Sequence, residues 1–282
     1  MKLKENNWFA KKEGNDSPSF FAFYWIERKR DIRMNSHSKL IEMMQDLTPK
    51  YGGWQVFHDF VMLAGYAISN QVDATHYQDR ENAYLSIAKK YKTQEMELFT
   101  EMFGALYLEA INNQKNGLYR DILGYIYEDL KLYNEQNGQF FTPEHICDMM
   151  AKITAGNLKE QLKEKGYVSV GEPACGSGRM VLAFAEEMHR QGLSPQKQLF
   201  IQATDNDMTC AIMTYIALSL YGIPAIVTHG NTISMEQFSI WYTPMFVMDA
   251  WYDKLDVGSG SKTNENTFEL PEKCSQLELF VI

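Results

Sequence analysis

The residues best suited to bind a nucleotide-like ligand follow three predicted β-strands. Residues 172–178, which include two glycines, end the first of these strands, and Asp205 ends the second. Asn231 lies at the end of the third. Because parallel strands present their carboxyl ends at one edge of a sheet, we expect these residues to line a common crevice.

Each stretch offers a different interaction. Gly176 and Gly178 let the backbone approach a ligand closely, and the helix that follows them presents unpaired N–H groups at its start. A carboxylate such as Asp205 can accept hydrogen bonds from both hydroxyls of a ribose, and Asn231 is placed to meet an adenine edge. Taken alone, Asp205 or Asp207 could equally be the N-cap of the next helix.

The hydrophobic pattern predicts the elements that would position these residues. Residues 54–133 show helical periodicity and predict a bundle of about four helices. From 167 to 228 strands alternate with helices, which predicts parallel strands joined by right-handed crossovers. The fold class is therefore α/β, with an N-terminal helical domain at 1–136, a Rossmann-like domain at 137–255 and a flexible C-terminal tail at 256–282.

Thr142 and Pro143 predict the start of a helix shortly before the first strand. Threonine is a good N-cap, and proline already has the backbone conformation of the first helical position. The apolar residues that this helix should turn toward the core are Ile146, Met149, Met150 and Ile153.

Composition and charge exclude several classes of protein. The chain has 282 residues, a formal net charge of −9 and a pI near 5.2, which argues against a protein that binds nucleic acid through bulk positive charge. Its four cysteines have no paired metal-ligand spacing, so we predict no metal site. The N-terminus lacks the apolar region of a signal peptide, and no stretch reaches the ~20 apolar residues of a membrane span. These features predict a cytoplasmic protein with no membrane partner.

The densest basic cluster includes Arg28, Lys29 and Arg30 and follows an aromatic run. One interpretation is an arm that contacts phosphate groups. The other is a solvated helix face whose neighbouring aromatic residues pack on the core, which is the usual role of a short charge run.

The glycine spacing also narrows the class of cofactor. Between Gly171 and Gly178 it reads G-x-x-x-x-G-x-G, which matches neither the G-x-G-x-x-G dinucleotide pattern nor the G-x-x-x-x-G-K-[ST] phosphate loop. A cofactor without a pyrophosphate is therefore favoured over nicotinamide dinucleotides and ATP. A Rossmann protein for another nucleotide remains a further interpretation.

Three segments together resemble a known family. They are Asp121 to Glu128, which reads DILGYIYE; Gln139 to Pro143, which reads QFFTP; and Glu172 to Gly178, which reads EPACGSG. In combination they resemble the DNA adenine-N6 methyltransferases, specifically the modification subunit of type I restriction systems. The resemblance implies a helical domain followed by a Rossmann-like domain that binds S-adenosylmethionine.

Matched residue by residue, the resemblance implies a set of cofactor-binding positions. The segment 139–144 would lie against the methionine end of the cofactor, the turn 176–178 beneath it, and Asp205 against the ribose. Glu172 stands where type I subunits usually have Asp, and Asn231 stands where an Asp commonly meets the adenine amine. The complete implied set is Gln139, Phe140, Phe141, Thr142, Pro143, Glu144, Glu172, Pro173, Ala174, Gly176, Ser177, Gly178, Asp205, Asn206 and Asn231.

The family's catalytic motif is altered in this chain. The family carries [DNS]-P-P-[YFW] at the end of the fourth strand, where it binds the amine of a flipped adenine. Here that position holds Thr243-Pro244-Met245-Phe246, so the implied catalytic residues are Thr243, Pro244 and Phe246. Loss of one buried acceptor would lower the rate by on the order of 10²–10³. Alternatively, residues 241–246 form an aromatic loop that only packs on the domain.

The resemblance implies an S-adenosylmethionine-dependent DNA adenine-N6 methyltransferase of a restriction-modification type, with activity that is weak or depends on a partner. Its partners would be double-stranded DNA with an adenine target and a separate specificity subunit. The stretch after Phe246 is too short to complete the family's sheet. The alternative is therefore a truncated, catalytically inactive module that binds the cofactor, a partner protein or DNA in a structural or regulatory role.

Overall fold

Five helices form the N-terminal region in the computed structural model, which describes residues 36–132 and 141–255. Helix α2 is mostly apolar and lies at the centre of this group, because twelve of its seventeen residues are buried. The helical N-terminal region that the periodicity predicts is confirmed. The helices are α1 Ser36–Tyr51, α2 Gly53–Ser69, α3 Tyr77–Ala88, α4 Thr93–Lys115 and α5 Ile122–Asp129.

The second part of the chain forms a four-stranded sheet in the order β1-β2-β3-β4. Strands β1, β2 and β3 are parallel and β4 is antiparallel to β3. The predicted α/β class and the three parallel strands are confirmed. The elements are α6 Glu144–Ala155, α7 Leu158–Lys165, β1 Val168–Glu172, α8 Arg179–Arg190, α9 Pro195–Gln198, β2 Leu199–Asp205, α10 Met208–Leu220, β3 Ala225–Asn231, β4 Glu236–Tyr242, α11 Pro244–Met248 and α12 Trp251–Lys254.

Helix α10 joins the helical region to the sheet. Ten of its thirteen residues are buried, because α2 packs on one side and strands β2 and β3 on the other. At the crossing with α2, a Cβ on Gly65 would lie 2.5 Å from Ile212 Cγ2, so glycine allows the two helices to approach closely. One hydrophobic core therefore runs from α1 through α10 to the sheet. The predicted domain boundary at 136/137 lies outside the described residues and stays a prediction.

Helix α6 turns a different face inward from the one that its apolar residues predict. Its buried residues are Cys147, Ala151 and Ala155, whereas Met149 and Ile153 are exposed. Small residues at a spacing of four let α6 pack closely against α8, and this contact decides the orientation of the helix. The expectation that Met149 and Ile153 face the core was wrong.

Arg80 of α3 anchors strand β4 to the helical region. Its guanidinium donates to Asp73 Oδ2 and to the Ile240 carbonyl oxygen, both at 2.6 Å, and lies 4.0 Å from the ring centre of Trp241. Both charged side chains of the Arg80–Asp73 pair are buried. Strand β4 is thus held in its antiparallel position by contacts that come from the helices as well as by the β3 ladder.

No helix within 36–132 or 141–255 combines the length and the hydropathy that crossing a membrane requires. Over the same ranges, no group of three or more His, Cys, Asp or Glu side chains is arranged to hold a metal ion.

We expect Arg80→Met to lower the free energy of unfolding by about 3–5 kcal/mol, because it removes the buried cation that pairs with Asp73 and leaves this carboxylate only its contacts with His76. Urea denaturation followed by circular dichroism measures this change. Lys163→Met is the matched control, since it removes an exposed ion pair to Glu160 and should cost less than about 1 kcal/mol. An equal, small loss in both variants would contradict an anchoring role for Arg80.

Candidate cofactor site

The glycine turn lies at the carboxyl edge of the sheet, where β1, β2 and β3 end. Gly176 has φ 53° and Gly178 has φ 90°, both in the left-handed region that favours glycine. A Cβ on Gly178 would lie 3.1 Å from Thr214 Oγ1 of α10, and this hydroxyl donates to the Gly176 carbonyl oxygen at 2.9 Å. The turn therefore needs glycines and rests directly on α10.

Asp205 holds the glycine turn from the next strand. Its Oδ2 accepts from the Gly176 N–H at 2.7 Å, and its Oδ1 accepts from the Asp207 N–H at 2.9 Å. Burial raises the pKa of this carboxyl, and the two N–H donors partly oppose the rise. Each carboxylate oxygen keeps a further lone pair, so Asp205 can still accept from a ribose hydroxyl.

The N-cap of α10 is Asp207. Its Oδ1 accepts from the Cys210 N–H at 3.0 Å, and its backbone is extended, as at a typical N-cap. The helix cap therefore does not require Asp205. Asn206, between the two aspartates, is exposed at the same edge.

Glu172, at the end of β1, places a second carboxylate beside Asp205. Its Oε1 accepts from the Ala174 N–H at 3.2 Å. Burial raises the pKa of Glu172, and the neighbouring Asp205 charge raises it further. Pro173 is tied across the edge to the end of β3, because its carbonyl oxygen accepts from Thr232 Oγ1 at 2.6 Å. Acidic groups thus dominate the charge of this edge, which suits a ligand with hydroxyl donors or positive charge.

Asn231 stabilises the turn after β3, a role that the sequence analysis did not predict. Its Oδ1 accepts from the N–H groups of Ile233 and Ser234, at 2.9 and 3.1 Å. These bonds form the turn that starts the β3–β4 hairpin, and they occupy both lone pairs of the amide oxygen. The resemblance assigned this oxygen to an adenine amine, but in the structure both of its lone pairs are used within the turn.

The segment before α6 reaches the glycine turn through an aromatic ring. The Phe141 ring lies 3.3 Å from the position that a Cβ on Gly176 would occupy, and its centre is 5.3 Å from that of Tyr127. Thr142 and Pro143 are exposed, and the Glu144 carboxylate accepts from the Tyr125 hydroxyl. Gln139 and Phe140 lie outside the described residues, so their predicted contacts with the cofactor stay predictions.

A buried cluster around Arg179 holds the glycine turn and the Thr142 segment in place. Arg179 Nε donates to Asp121 Oδ2 at 3.0 Å, and its terminal nitrogens donate to Glu128 Oε2 at 3.0 Å and to the Thr142 carbonyl oxygen at 3.2 Å. The Ser177 hydroxyl also donates to Asp121 Oδ2. The Arg179 cluster therefore joins the glycine turn, α5 and the Thr142 segment.

Sequence reasoning missed the Arg179 cluster, although two signals pointed to it. Asp121 stands three residues before Gly124, which is N-cap spacing, and its Oδ1 does accept from the Gly124 N–H at 2.8 Å. An arginine at the first position of α8 carries charge that must be paired once buried.

The predicted catalytic segment lies at the opposite, amino edge of the sheet, where β1, β2 and β3 begin. Thr243 is fully buried; its Oγ1 accepts from the Ala225 N–H at 2.8 Å and donates to the Ile223 carbonyl oxygen at 2.9 Å. Phe246 is buried against Phe200 and Tyr242. Pro244 is the first residue of α11.

This placement corrects the expectation that Thr243, Pro244 and Phe246 meet the glycine turn. Strand β4 runs antiparallel to β3, so its end pairs with the beginning of β3, at Tyr242↔Ile226. The structure brings Glu172, Gly176 and Asp205 together at one edge and leaves residues 243–246 at the other. The alternative interpretation, an aromatic segment that packs on the domain, agrees with the observed contacts.

Comparison with known proteins identifies the family. The model of the N-6 DNA methylase family matches residues 118–261, which is just over half of the chain. This match extends over the Arg179 cluster, the glycine turn and Asp205. It implies S-adenosylmethionine as the cofactor, in agreement with the sequence prediction.

One solved structure is similar over part of its length. It is a candidate class I S-adenosylmethionine-dependent methyltransferase from Listeria monocytogenes, 13% identical, with a TM-score of 0.38. The alignment covers 67% of this chain and 51% of that one, so the chain spans about half the length of the matched protein. No curated protein matches the sequence. On the strength of the family model, the chain belongs to the N-6 DNA methylase family.

Proposed function

We propose that S-adenosylmethionine binds at the carboxyl edge, above the glycine turn. The observation that carries this proposal is the bond between the Gly176 N–H and Asp205, because it fixes an acidic acceptor beside a turn that only glycine can form. Asp205 would hold the ribose, and the turn 176–178 would lie beneath the methionine portion. Phe141 and Glu172 would flank the ligand, with Asn206 exposed beside Asp205.

We further propose that the protein takes part in adenine-N6 methylation of DNA, as in a restriction-modification system. When bound, the cofactor supplies an activated methyl group on a sulfonium centre. The acidic carboxyl edge can favour that positive charge, since Glu172 and Asp205 lie on adjacent strands. The groups that orient the adenine amine would come from a partner, such as a specificity subunit, because residues 243–246 lie at the amino edge.

A second candidate function rests on the position of Thr243 and Phe246 at the amino edge, away from the glycine turn. A module that binds S-adenosylmethionine without transferring its methyl group needs only the carboxyl edge. It would use the cofactor as a structural or regulatory ligand. The two candidates share the cofactor site and differ only in methyl transfer.

Asp205→Ala should weaken S-adenosylmethionine binding by about 5- to 150-fold, since loss of a charge-assisted acceptor costs roughly 1–3 kcal/mol. Titration calorimetry on the folded variant measures the change. Asp253→Ala, which removes an exposed carboxylate from α12, is the matched control and should bind as the wild type does. Affinity should also fall as the pH drops through the raised pKa of Asp205, because the protonated carboxyl is a poorer acceptor.

Asp205→Asn tests the origin of that pH dependence. A neutral side chain at this position should bind more weakly than the wild type near neutrality and should lack the part of the decline that Asp205 causes. Unchanged affinity in Asp205→Ala would assign the carboxylate to the glycine turn alone. If the wild type fails to bind at millimolar cofactor, the cofactor proposal is wrong.

Methyl transfer separates the two candidate functions. We expect no incorporation of label from S-adenosylmethionine into adenine-rich duplex DNA with the chain alone, and incorporation when a specificity subunit is added. Asp205→Ala under the same conditions is the negative control. Label transfer by the chain alone would contradict the need for a partner. Absence of transfer with every candidate subunit would leave the module that binds S-adenosylmethionine without transferring its methyl group.

Thr243→Val should leave cofactor affinity unchanged, because the substitution lies at the amino edge. It should lower the free energy of unfolding by about 1–3 kcal/mol, since the buried Ala225 N–H loses its side-chain acceptor. Calorimetric titration and urea denaturation of the same preparation give both values. A selective loss of methyl transfer with intact stability would return Thr243 to a catalytic role.

A further inference from the structure

Trp54 and His58 form a flat aromatic pair on the N-terminal turns of α2. Their ring centres are 4.7 Å apart and the planes are inclined by only 10°. The Trp54 residue is 49% exposed although its inner face is covered by the imidazole. His58 Nδ1 forms a hydrogen bond of 2.9 Å with Thr209 Oγ1, so the imidazole ring of the pair is held in place.

The pair lies at the carboxyl edge, close to the candidate cofactor site. Thr209 is in the first turn of α10, two residues after its N-cap Asp207. Helices α2 and α10 run in the same direction, because His58 meets Thr209 and Gly65 meets Ile212 further along both helices. The start of α2 is therefore beside the start of α10, whose N-cap Asp207 is two residues after Asp205.

A chain of aromatic rings connects the same end of α2 to the glycine turn. Phe57, the neighbour of His58, lies 5.5 Å from Tyr127 between ring centres, and Tyr127 lies 5.3 Å from Phe141. The Phe141 ring in turn covers Gly176. Two independent sets of contacts, through Thr209 and through Tyr127, thus place the N-terminal end of α2 at the same edge of the sheet as the glycine turn.

The chemistry of the pair suits a planar, uncharged ring system. Burial lowers the pKa of His58, which favours the neutral imidazole. An indole supported by a fixed neutral ring presents one free π-face, and a nucleobase can stack on such a face at little cost in side-chain entropy. The spacing of four residues brings the two rings together on the surface of α2, and the hydrogen bond to Thr209 then fixes the imidazole beneath the indole.

We propose that the outer face of Trp54 is a stacking surface for a purine ring at the carboxyl edge. The ring is the adenine of the cofactor or an adenine of the DNA, which share this chemistry. This inference rests on the proposed function, and it supplies an aromatic contact that Phe246 cannot give from the amino edge. Trp54 is thereby a ligand-contacting residue contributed by the helical region.

Replacement of Trp54 in the full chain tests the proposal. Trp54→Ala and Trp54→Leu remove the π-face, and Trp54→Leu keeps most of the apolar volume in case the alanine variant is unstable. Trp54→Phe keeps a smaller π-face and should restore most of the binding. Met248→Ala is the control, because Met248 is an exposed apolar residue of α11, near the amino edge.

Two ligands distinguish the source of the purine: S-adenosylhomocysteine, and a short adenine-containing single strand of DNA. We expect Trp54→Ala and Trp54→Leu to weaken one of them by about 5- to 150-fold, the range that one base–aromatic stack contributes. Selective loss of S-adenosylhomocysteine binding assigns the surface to the cofactor's adenine. Selective loss of oligonucleotide binding assigns it to a DNA base.

The outcomes that overturn the proposal are separate from those that overturn the proposed function. If the wild type binds either ligand and the folded Trp54→Leu variant binds both equally well, Trp54 is not a stacking surface. A loss of the same size in Met248→Ala would also reject the proposal, because the effect would not be local. If the wild type binds neither ligand, the proposed function itself fails and this inference fails with it.

Discussion

The glycine turn at the carboxyl edge depends on the burial of Arg179 between Asp121 and Glu128. A guanidinium removed from water needs several well-placed acceptors, and here these come from α5 and from the Thr142 carbonyl oxygen. Because Arg179 is the first residue of α8, its position fixes the glycine turn directly before it. The Ser177 hydroxyl shares the Asp121 carboxylate, so the turn is held through two side chains rather than by its own backbone alone.

This arrangement makes the helical region part of the candidate cofactor site. Asp121 is the N-cap of α5 and Glu128 lies within this helix, more than thirty residues before the sheet. Their carboxylates nevertheless bind Ser177 and Arg179, which hold the glycine turn. On the opposite side, Thr214 of α10 supports Gly176 and Gly178, and α10 is itself covered by α2. Loosening of the helical region would therefore displace the turn even though no residue of the sheet had changed.

The sequence was sufficient to predict the elements whose apolar pattern is local and uninterrupted. The parallel strands β1, β2 and β3 were predicted because each is a short apolar run between turn signals, and Asp205 was placed correctly by the carboxyl-edge rule. The inward face of α6 was not predicted, because close packing on α8 selected small residues over the larger Met149 and Ile153. The Arg179 cluster was missed because its partners are far apart in sequence and meet only after folding.

The direction of β4 was the most consequential feature that the sequence analysis did not predict. An antiparallel hairpin needs only the short turn at Asn231, whereas a parallel fourth strand needs a crossover of a dozen or more residues, and only four residues separate β3 from β4. Contacts distant in sequence then fix the result, since Arg80 holds Ile240 and Trp241, and Thr243 closes the ladder at Ala225. The hairpin thus places residues 243–246 at the amino edge, away from the carboxyl edge. Under the proposed function, cofactor binding therefore depends on residues other than 243–246.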